Sequence, residues 1–392
     1  MNARRVLLEL FDSALRAVDG RACVEELLRH APRNRSSVFA IGKAACAMAL
    51  GAKDALGDLI EELFVVTKQG HVDPQLRGAG VTILESAHPV PDARSLAAGA
   101  ELARRVTELR EDLWPIFLIS GGSSSLVECL NEGETLESLR ALNERGLAAG
   151  WEIRKLNQER SRISRLKGGG LTRLLGQREA LGLFISDVPG DSPGVIGSGL
   201  LGLPGDREDP VTSYVVANID CAVREVINAG GAHGLELEQR TTRFDGDVNT
   251  VANEFLEALR ATRADGLVWG GESTVKLPEV HGRGGRNTHL ALTIARSLRP
   301  GERLQILAAG TDGTDGPTQD AGAIVDALTV ERATIAGCDV ERAWRDFDSG
   351  TALEASEDLV HTGPTGTNVG DILIGLKHSA GALRGDPLPR ML

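Results

Sequence analysis

Several stretches of this chain end an apolar run in a glycine-rich turn carrying carboxylates, hydroxyls or cations, the chemistry of anion and metal binding. In residues 304–322, LQILAAGTDGTDGPTQDAG, an apolar run long enough for one buried strand stops at Gly310 and delivers Asp312 and Asp315 with hydroxyls beside them. At the carboxyl edge of an open α/β sheet such a turn binds ligands, and glycine lets the backbone approach them closely. The alternative is plain turn punctuation, since Asp-Gly and Gly-Pro pairs serve that too.

Other turns offer complementary groups. Residues 37–41 (SVFAI) predict a strand that passes through Gly42 and Lys43 into a helix, where free N–H groups and a mobile ammonium suit phosphate. The G-x-x-x-x-G-K-[ST] spacing of a P-loop is absent. Lysine is not the default cation here, with 7 Lys among 43 basic residues. After a strand at 115–119, Ser120-Gly121-Gly122-Ser123-Ser124-Ser125 opens a helical pattern and reads either as an anion site or as a serine-rich turn. The serine run itself does not match the G-x-S-x-G elbow, so Ser123 and Ser124 are not read as nucleophiles. His88, held extended by Pro89, is a general base, a substrate donor or a structural histidine. Asp187 and Asp191 follow a strand at 181–185 and suit Mg²⁺ or a substrate hydroxyl.

Asn157, Arg160, Ser164 and Lys167 fall on one face of a helix predicted over 139–166. That stripe is either solvated or aims Arg160 at a carboxylate or phosphate. Arg283 and Arg286 lie among glycines at the start of the helical run HLALTIARSL, a setting that suits phosphoryl oxygens. Gly197-Ser198-Gly199-Leu200-Leu201-Gly202 satisfies G-x-G-x-x-G but runs into Pro204-Gly205-Asp206. It opens no long helix, so it is not a dinucleotide fingerprint.

The elements that must position these turns alternate between strand and helix. Amphipathic helices are expected over 3–30, strands at 63–67 and 81–84, and a helix at 93–109. Residues 207–210 read as loop, followed by a strand at 213–217, a helix at 220–229, a strand at 233–239 and a helix at 248–262. A strand at 266–269 leads into the GGESTV turn, and DILIGL is a final hydrophobic run.

At 392 residues the chain accommodates two or three domains. Hydrophobic content of 42% and charged content of 25% are those of a soluble globular protein. A net charge of −12 argues against a general nucleic-acid binder, and 3% aromatics against base-stacking platforms. No run reaches the length of a membrane span, and Glu9 and Asp12 break any signal-peptide core. Cys23, Cys46, Cys129, Cys221 and Cys338 lack metal-ligand spacing, which suggests a reduced cytosolic protein.

GKAA (42–45), SAHPVPD (86–92), SGGSSSL (120–126), N-x-x-R…KGG (157–169), SDVPGD (186–191), GGESTV (270–275), GGRN (284–287), GTDGTDGPT (310–318) and TGPTGTN (362–368) occur together and in order. With these motifs the chain resembles, over nearly its whole length, the class II glycerate 2-kinases, the family ending in a MOFRL domain. The resemblance implies a two-lobed α/β fold, with a Rossmann-like N-terminal lobe at 1–240, a smaller α/β MOFRL lobe at 241–392 and the active site in the cleft between them. It implies ATP-dependent, Mg²⁺-requiring phosphorylation of D-glycerate to 2-phosphoglycerate. From composition, a cytoplasmic monomer or homodimer without nucleic-acid or membrane partners is expected.

On that reading Lys43, carried over through GKAA, is catalytic, with Arg286 chosen as its C-lobe arginine and Asp187 as the base. Ser120, Gly121, Gly122, Ser123, Ser124, Arg160 and His88 bind glycerate. Gly42, Gly271, Glu272, Gly284, Gly285, Asn287, Thr311, Thr365 and Asn368 bind nucleotide, and Asp191, Asp312 and Asp315 hold metal. The chain departs from the family pattern at Thr288-His289, where Gln-Glu is usual, and at Leu200-Leu201, where Pro-Thr is usual; both changes bear on nucleotide preference or substrate fit. Relatives have also carried the label hydroxypyruvate reductase, so an NAD(P)H-dependent reductase is the alternative. A binding protein that has lost catalysis is the other.

Overall fold

The computed structural model describes residues 2–149, 151, 153–202 and 210–377. The loop expected at 207–210 lies, up to residue 209, outside the described residues. The chain forms two compact units. One comprises Val18–Asn218 and Gly366–Val369; the other comprises Ile219–Thr365 with the flanking segments Met1–Ala17 and Gly370–Leu392.

In chain order the helices and strands are α1 (Ala3–Ala17), α2 (Gly20–Arg29), β1 (Ser36–Ile41), α3 (Ala45–Leu56), β2 (Ile60–Lys68), β3 (Val81–Ser86), α4 (Ala93–Thr107) and β4 (Trp114–Ile119). Next come α5 (Ser123–Leu126), α6 (Leu136–Ala148), α7 (Ile153–Ile163), α8 (Gly170–Leu175), β5 (Ala180–Ile185) and β6 (Val211–Ala217). The C-terminal unit adds α9 (Ile219–Ala232), β7 (Leu237–Gln239), β8 (Phe244–Asp247), α10 (Val248–Ala261), β9 (Gly266–Thr274), α11 (Arg286–Ser297), β10 (Leu304–Gly310) and β11 (Gly322–Asp326). It closes with α12 (Thr329–Ile335), α13 (Val340–Arg345), α14 (Ser349–Ala355), β12 (Leu359–Val360) and β13 (Asp371–Lys377).

The N-terminal unit is built on a parallel sheet in the order β3-β2-β1-β4-β5-β6. β1 and β5 are buried along their whole length, as continuous apolar strands covered on both faces must be. Phe39 stacks on Phe117 at 5.1 Å and meets Phe64 edge-on at 6.4 Å. Burying each such ring contributes about 1.5–3 kcal/mol. The small-residue helix α3 lies close against α2; a Cβ on Gly51 would fall 2.2 Å from Arg21 O. The order of strands reverses between β1 and β4, the switch point where doubly wound sheets bind ligands at their carboxyl edge. The helix expected as one piece over 139–166 is two, α6 and α7.

The C-terminal unit carries a mixed sheet, β12-β11-β10-β13-β9-β7, with β8 also paired to β9. Its central pairs are antiparallel, so the parallel-sheet argument for the turn after β10 does not hold there. Phe255, Leu259, Leu290, Ile294 and the aromatic pair Phe244–Trp269 form one core against α10 and α11. Helix α1 belongs to this unit: Val6, Leu7, Leu10, Phe11 and Ala14 form its buried stripe, and it packs on α9, β10 and β13. The division falls at Asn218/Ile219 rather than at the expected 240. Helix α9 draws it there, packing on β9, where a Cβ on Gly270 would lie 2.3 Å from Ile219 Cγ1. Among the described residues no helix is long and apolar enough to cross a membrane.

Candidate active site

The carboxyl edge of the N-terminal sheet gathers most of the expected substrate residues. The turns after β1 and β4 are clasped together. Lys43 N–H donates to Gly121 O at 3.0 Å, Ser120 N–H to Ile41 O at 3.0 Å, and Ala44 N–H to Ser120 Oγ at 3.0 Å. Gly42, at φ 134, is required here because a Cβ would fall 2.1 Å from Ser120 Oγ. A Cβ on Gly122 would lie 3.2 Å from Lys43 Cγ and 3.1 Å from His88 Nε2. One on Gly121 would lie 1.9 Å from Asp187 Oδ2 and 2.0 Å from Asn368 Nδ2. The Lys43 side-chain stem, an imidazole, a carboxylate and an amide thus ring two glycines.

The serine loop adds hydroxyls. Ser123 Oγ is buried without a hydrogen-bond partner among the described residues. Ser125 Oγ donates to Gly122 O at 3.0 Å, and Ser124 Oγ accepts from Ser198 Oγ at 2.9 Å. Arg160 donates from Nε to Asn143 Oδ1 at 2.8 Å and from Nη1 to Asn157 Oδ1 at 3.4 Å. It makes no carboxylate ion pair among the described residues, and burial holds its pKa below the ordinary value. A half-buried guanidinium held by neutral amides suits an incoming carboxylate.

The polar stripe of 157–167 is not a solvated face. Helix α7 ends at Ile163, and Ser164 and Lys167 turn inward. The Lys167 ammonium pairs with Glu128, both side chains essentially inaccessible, and Ser164 Oγ donates to Glu128 Oε1 at 2.6 Å. Burial lowers the Lys167 pKa, and the Glu128 carboxylate opposes that shift.

In the C-terminal unit Arg286 pairs with Glu272 and approaches Asp371 Oδ2 at 3.4 Å. Burial raises the Asp371 carboxyl well above the usual carboxylate range, and Arg286 pulls it back. Asn287 Oδ1 is buried and unpartnered among the described residues. Asp371 follows Gly370 at the start of β13, and the fold brings it to Arg286.

Several expected roles change. Asp315 accepts Asn287 N–H on Oδ1 at 2.9 Å and Thr288 N–H on Oδ2 at 2.7 Å, capping α11 rather than waiting for a metal. Asp191 accepts Ser186 Oγ–H on Oδ1 at 2.6 Å and Asn218 Nδ2–H on Oδ2 at 2.8 Å, which makes it a loop tie. Asp312 accepts Thr314 N–H at 3.0 Å. No group of three or more His, Cys, Asp or Glu is arranged to hold a metal among the described residues. A nucleotide-borne Mg²⁺, coordinated mostly by phosphate and water, needs only one or two carboxylates.

The expected nucleotide residues are divided between the two units. Gly42 and Asn368 sit in the N-terminal unit beside the substrate residues. Gly271 serves close strand pairing, since its Cβ would fall 2.1 Å from Phe244 O. Gly285 leaves room for Asp315, and Gly284 for Ser349. Thr311 Oγ1 donates to Gly370 O at 2.7 Å, and Thr365 Oγ1 donates to Thr311 O. The departures from family pattern are packing residues. Leu200 and Leu201 are buried in the core, Thr288 bonds Gly285 N–H at 2.9 Å, and His289 stacks on Phe347 at 4.4 Å.

Comparison with known proteins gives this arrangement a lineage. The family described as "Domain of unknown function (DUF4147)" matches residues 6–223, and the MOFRL family matches residues 266–371. The chain is 32% identical to a D-glycerate 2-kinase of Thermotoga maritima, over 95% of this chain and 98% of the relative. A relative from Agrobacterium vitis, provisionally named hydroxypyruvate reductase, is 34% identical over 95% of this chain and 94% of its own. The crystal structure of a glycerate kinase from Thermotoga maritima superposes with a TM-score of 0.83 and 32% identity, covering 96% of this chain and 99% of that one.

Proposed function

The chain belongs to the DUF4147–MOFRL family of glycerate kinases, and on that premise we propose that it transfers the γ-phosphoryl group of ATP to the 2-hydroxyl of D-glycerate. The observation that supports this most is the ring of Lys43, His88, Asp187 and Asn368 about Gly121-Gly122 at the sheet's switch point. The groups around these glycines match the parts of a small hydroxy acid. Arg160 and the Ser123 and Ser124 hydroxyls take the carboxylate. Asp187 orients the attacking hydroxyl and accepts its proton as oxygen bonds to phosphorus and ADP leaves. Lys43 neutralises charge on the transferring group, and His88 donates to a substrate oxygen. In the C-terminal unit, Arg286 is the cation offered to nucleotide phosphates and Asp312 the carboxylate for Mg²⁺. The ion supplies charge neutralisation to the phosphates.

The reductase reading has the Agrobacterium name in its favour. Against it, Gly197, Ser198 and Gly199 form a tight turn followed by two core leucines, not a helix opening on a pyrophosphate. Two assays run side by side decide: ADP release from D-glycerate with ATP–Mg²⁺, and NAD(P)H oxidation with hydroxypyruvate. ADP release alone supports the kinase, and NAD(P)H oxidation alone overturns it.

A further inference from the structure

The glycine-rich stretch 197–202 lies directly behind the serine loop. Gly197 and Gly199 take φ of 62° and 66°, and Ser198 between them sits at φ 59°, a left-handed conformation uncommon outside glycine. A Cβ on Gly197 would fall 2.3 Å from Ser123 Oγ, so this glycine permits the close approach. Gly168 N–H donates to Ser198 O at 3.0 Å and Gly169 N–H to Gly199 O at 2.6 Å, fixing the turn from behind. From that fixed backbone Ser198 Oγ reaches Ser124 Oγ at 2.9 Å and Asn157 Oδ1 at 3.4 Å. Asn157 Oδ1 also accepts from Arg160 Nη1.

A serine hydroxyl has one proton to give. The contact to Ser124 has good hydrogen-bond length, whereas that to Asn157 is at the limit, so the proton goes to Ser124. Ser124 Oγ then accepts from Ser198, and its own proton is directed away from Ser198, toward the loop. A donor that itself accepts a hydrogen bond is strengthened by it. We infer that Ser198 is a positioning residue for substrate recognition: held in a left-handed turn, it orients the Ser124 hydroxyl to donate to the carboxylate of the bound hydroxy acid. This assignment rests on the proposal that the serine loop holds glycerate. The backbone conformation is maintained at a cost, as such conformations are at ligand clamps.

Two variants separate hydroxyl from backbone. Ser198→Gly removes the hydroxyl and relaxes the turn, whereas Ser198→Ala removes the hydroxyl and keeps the strain. Both should raise KM for D-glycerate roughly tenfold, the effect of one lost hydrogen bond in a ligand site, and leave KM for ATP unchanged. The glycine variant should melt no lower than the parent, and it carries the test if the alanine variant fails to fold. In a Ser124→Ala background Ser198→Gly should add nothing, because the two act through one hydroxyl. An unmoved KM for D-glycerate in Ser198→Gly, or an additive effect in the double variant, overturns the assignment. A parent enzyme inert toward D-glycerate overturns the kinase proposal and this assignment with it; an active parent with unmoved variants overturns the assignment alone.

Discussion

Asn368 Nδ2–H donates to Asp187 Oδ2 at 3.0 Å, joining residues 181 positions apart in the chain. Asn368 reaches this carboxylate because Gly366–Val369 belongs to the N-terminal unit although the chain on both sides of it belongs to the other. The amide fixes the carboxylate beside Gly121, where a substrate hydroxyl is proposed to lie. Asn368→Ala should therefore lower kcat about 10- to 100-fold, the range for one hydrogen bond to a charged group, with little change in KM for ATP. Steady-state kinetics in both substrates check this; an unchanged kcat removes Asn368 from the positioning of Asp187.

Lys43 is anchored through its backbone N–H to Gly121 O, and its side chain passes over Gly122. Replacing it by alanine removes the charge without touching the core. Turnover should drop by about 10²–10³, and thermal stability should stay near that of the parent. Arginine should rescue poorly, since its planar fork differs from a compact ammonium. Calorimetry beside kcat distinguishes this from general unfolding.

The buried Lys167–Glu128 pair predicts a stability effect of a different kind. Lys167→Met leaves Glu128 as an unpaired charge at 0% exposure and should destabilise the fold by about 3–5 kcal/mol. Adding Glu128→Met should recover part of that loss, although Ser164 Oγ and Cys129 N–H then lose their acceptor. Urea denaturation of the single and double variants measures both numbers.

Glycine turns and strand ends were legible in the sequence because β1, β4 and β5 are continuous apolar runs cut off by Gly, Ser or Pro. Helices α12, α13 and α14 were not, being six or seven residues long and too short to show a helical period. Strands β8 and β11 were missed for a similar reason: few residues, and pairing partners that only the fold supplies. In the site, the structure brings the turns that carry Lys43, the serine loop and Asp187 side by side. Residue types misled at Asp315 and Asp191, because an acidic residue in a turn caps helices and ties loops as readily as it binds metal. Ser198 and Asp371 matter through contacts that spacing along the chain does not encode.

His289 gives the stability a pH signature. Burial, between Phe347 at 4.4 Å and Trp344 at 5.9 Å, lowers its pKa from 6.5 to about 4. In the unfolded chain the imidazole takes up a proton as pH falls below 6.5, while the folded protein does not until about 4. Its contribution is present above pH 6.5 and is lost as pH falls toward 4, by up to about 3 kcal/mol. His289→Phe keeps the ring stack and should abolish this part of the acid sensitivity. Tm against pH for both proteins, taken as a difference, reports it; parallel curves contradict the assignment.

Proton-coupled ³¹P NMR of the product formed from D-glycerate and ATP–Mg²⁺ is the most direct examination of the whole account. Phosphate on the secondary 2-hydroxyl sees one carbon-bound proton and appears as a doublet, and that is the signal predicted, growing in about 10²–10³-fold more slowly in Lys43→Ala. A triplet from phosphate on the primary carbon, or no phosphoester at all, would contradict the account.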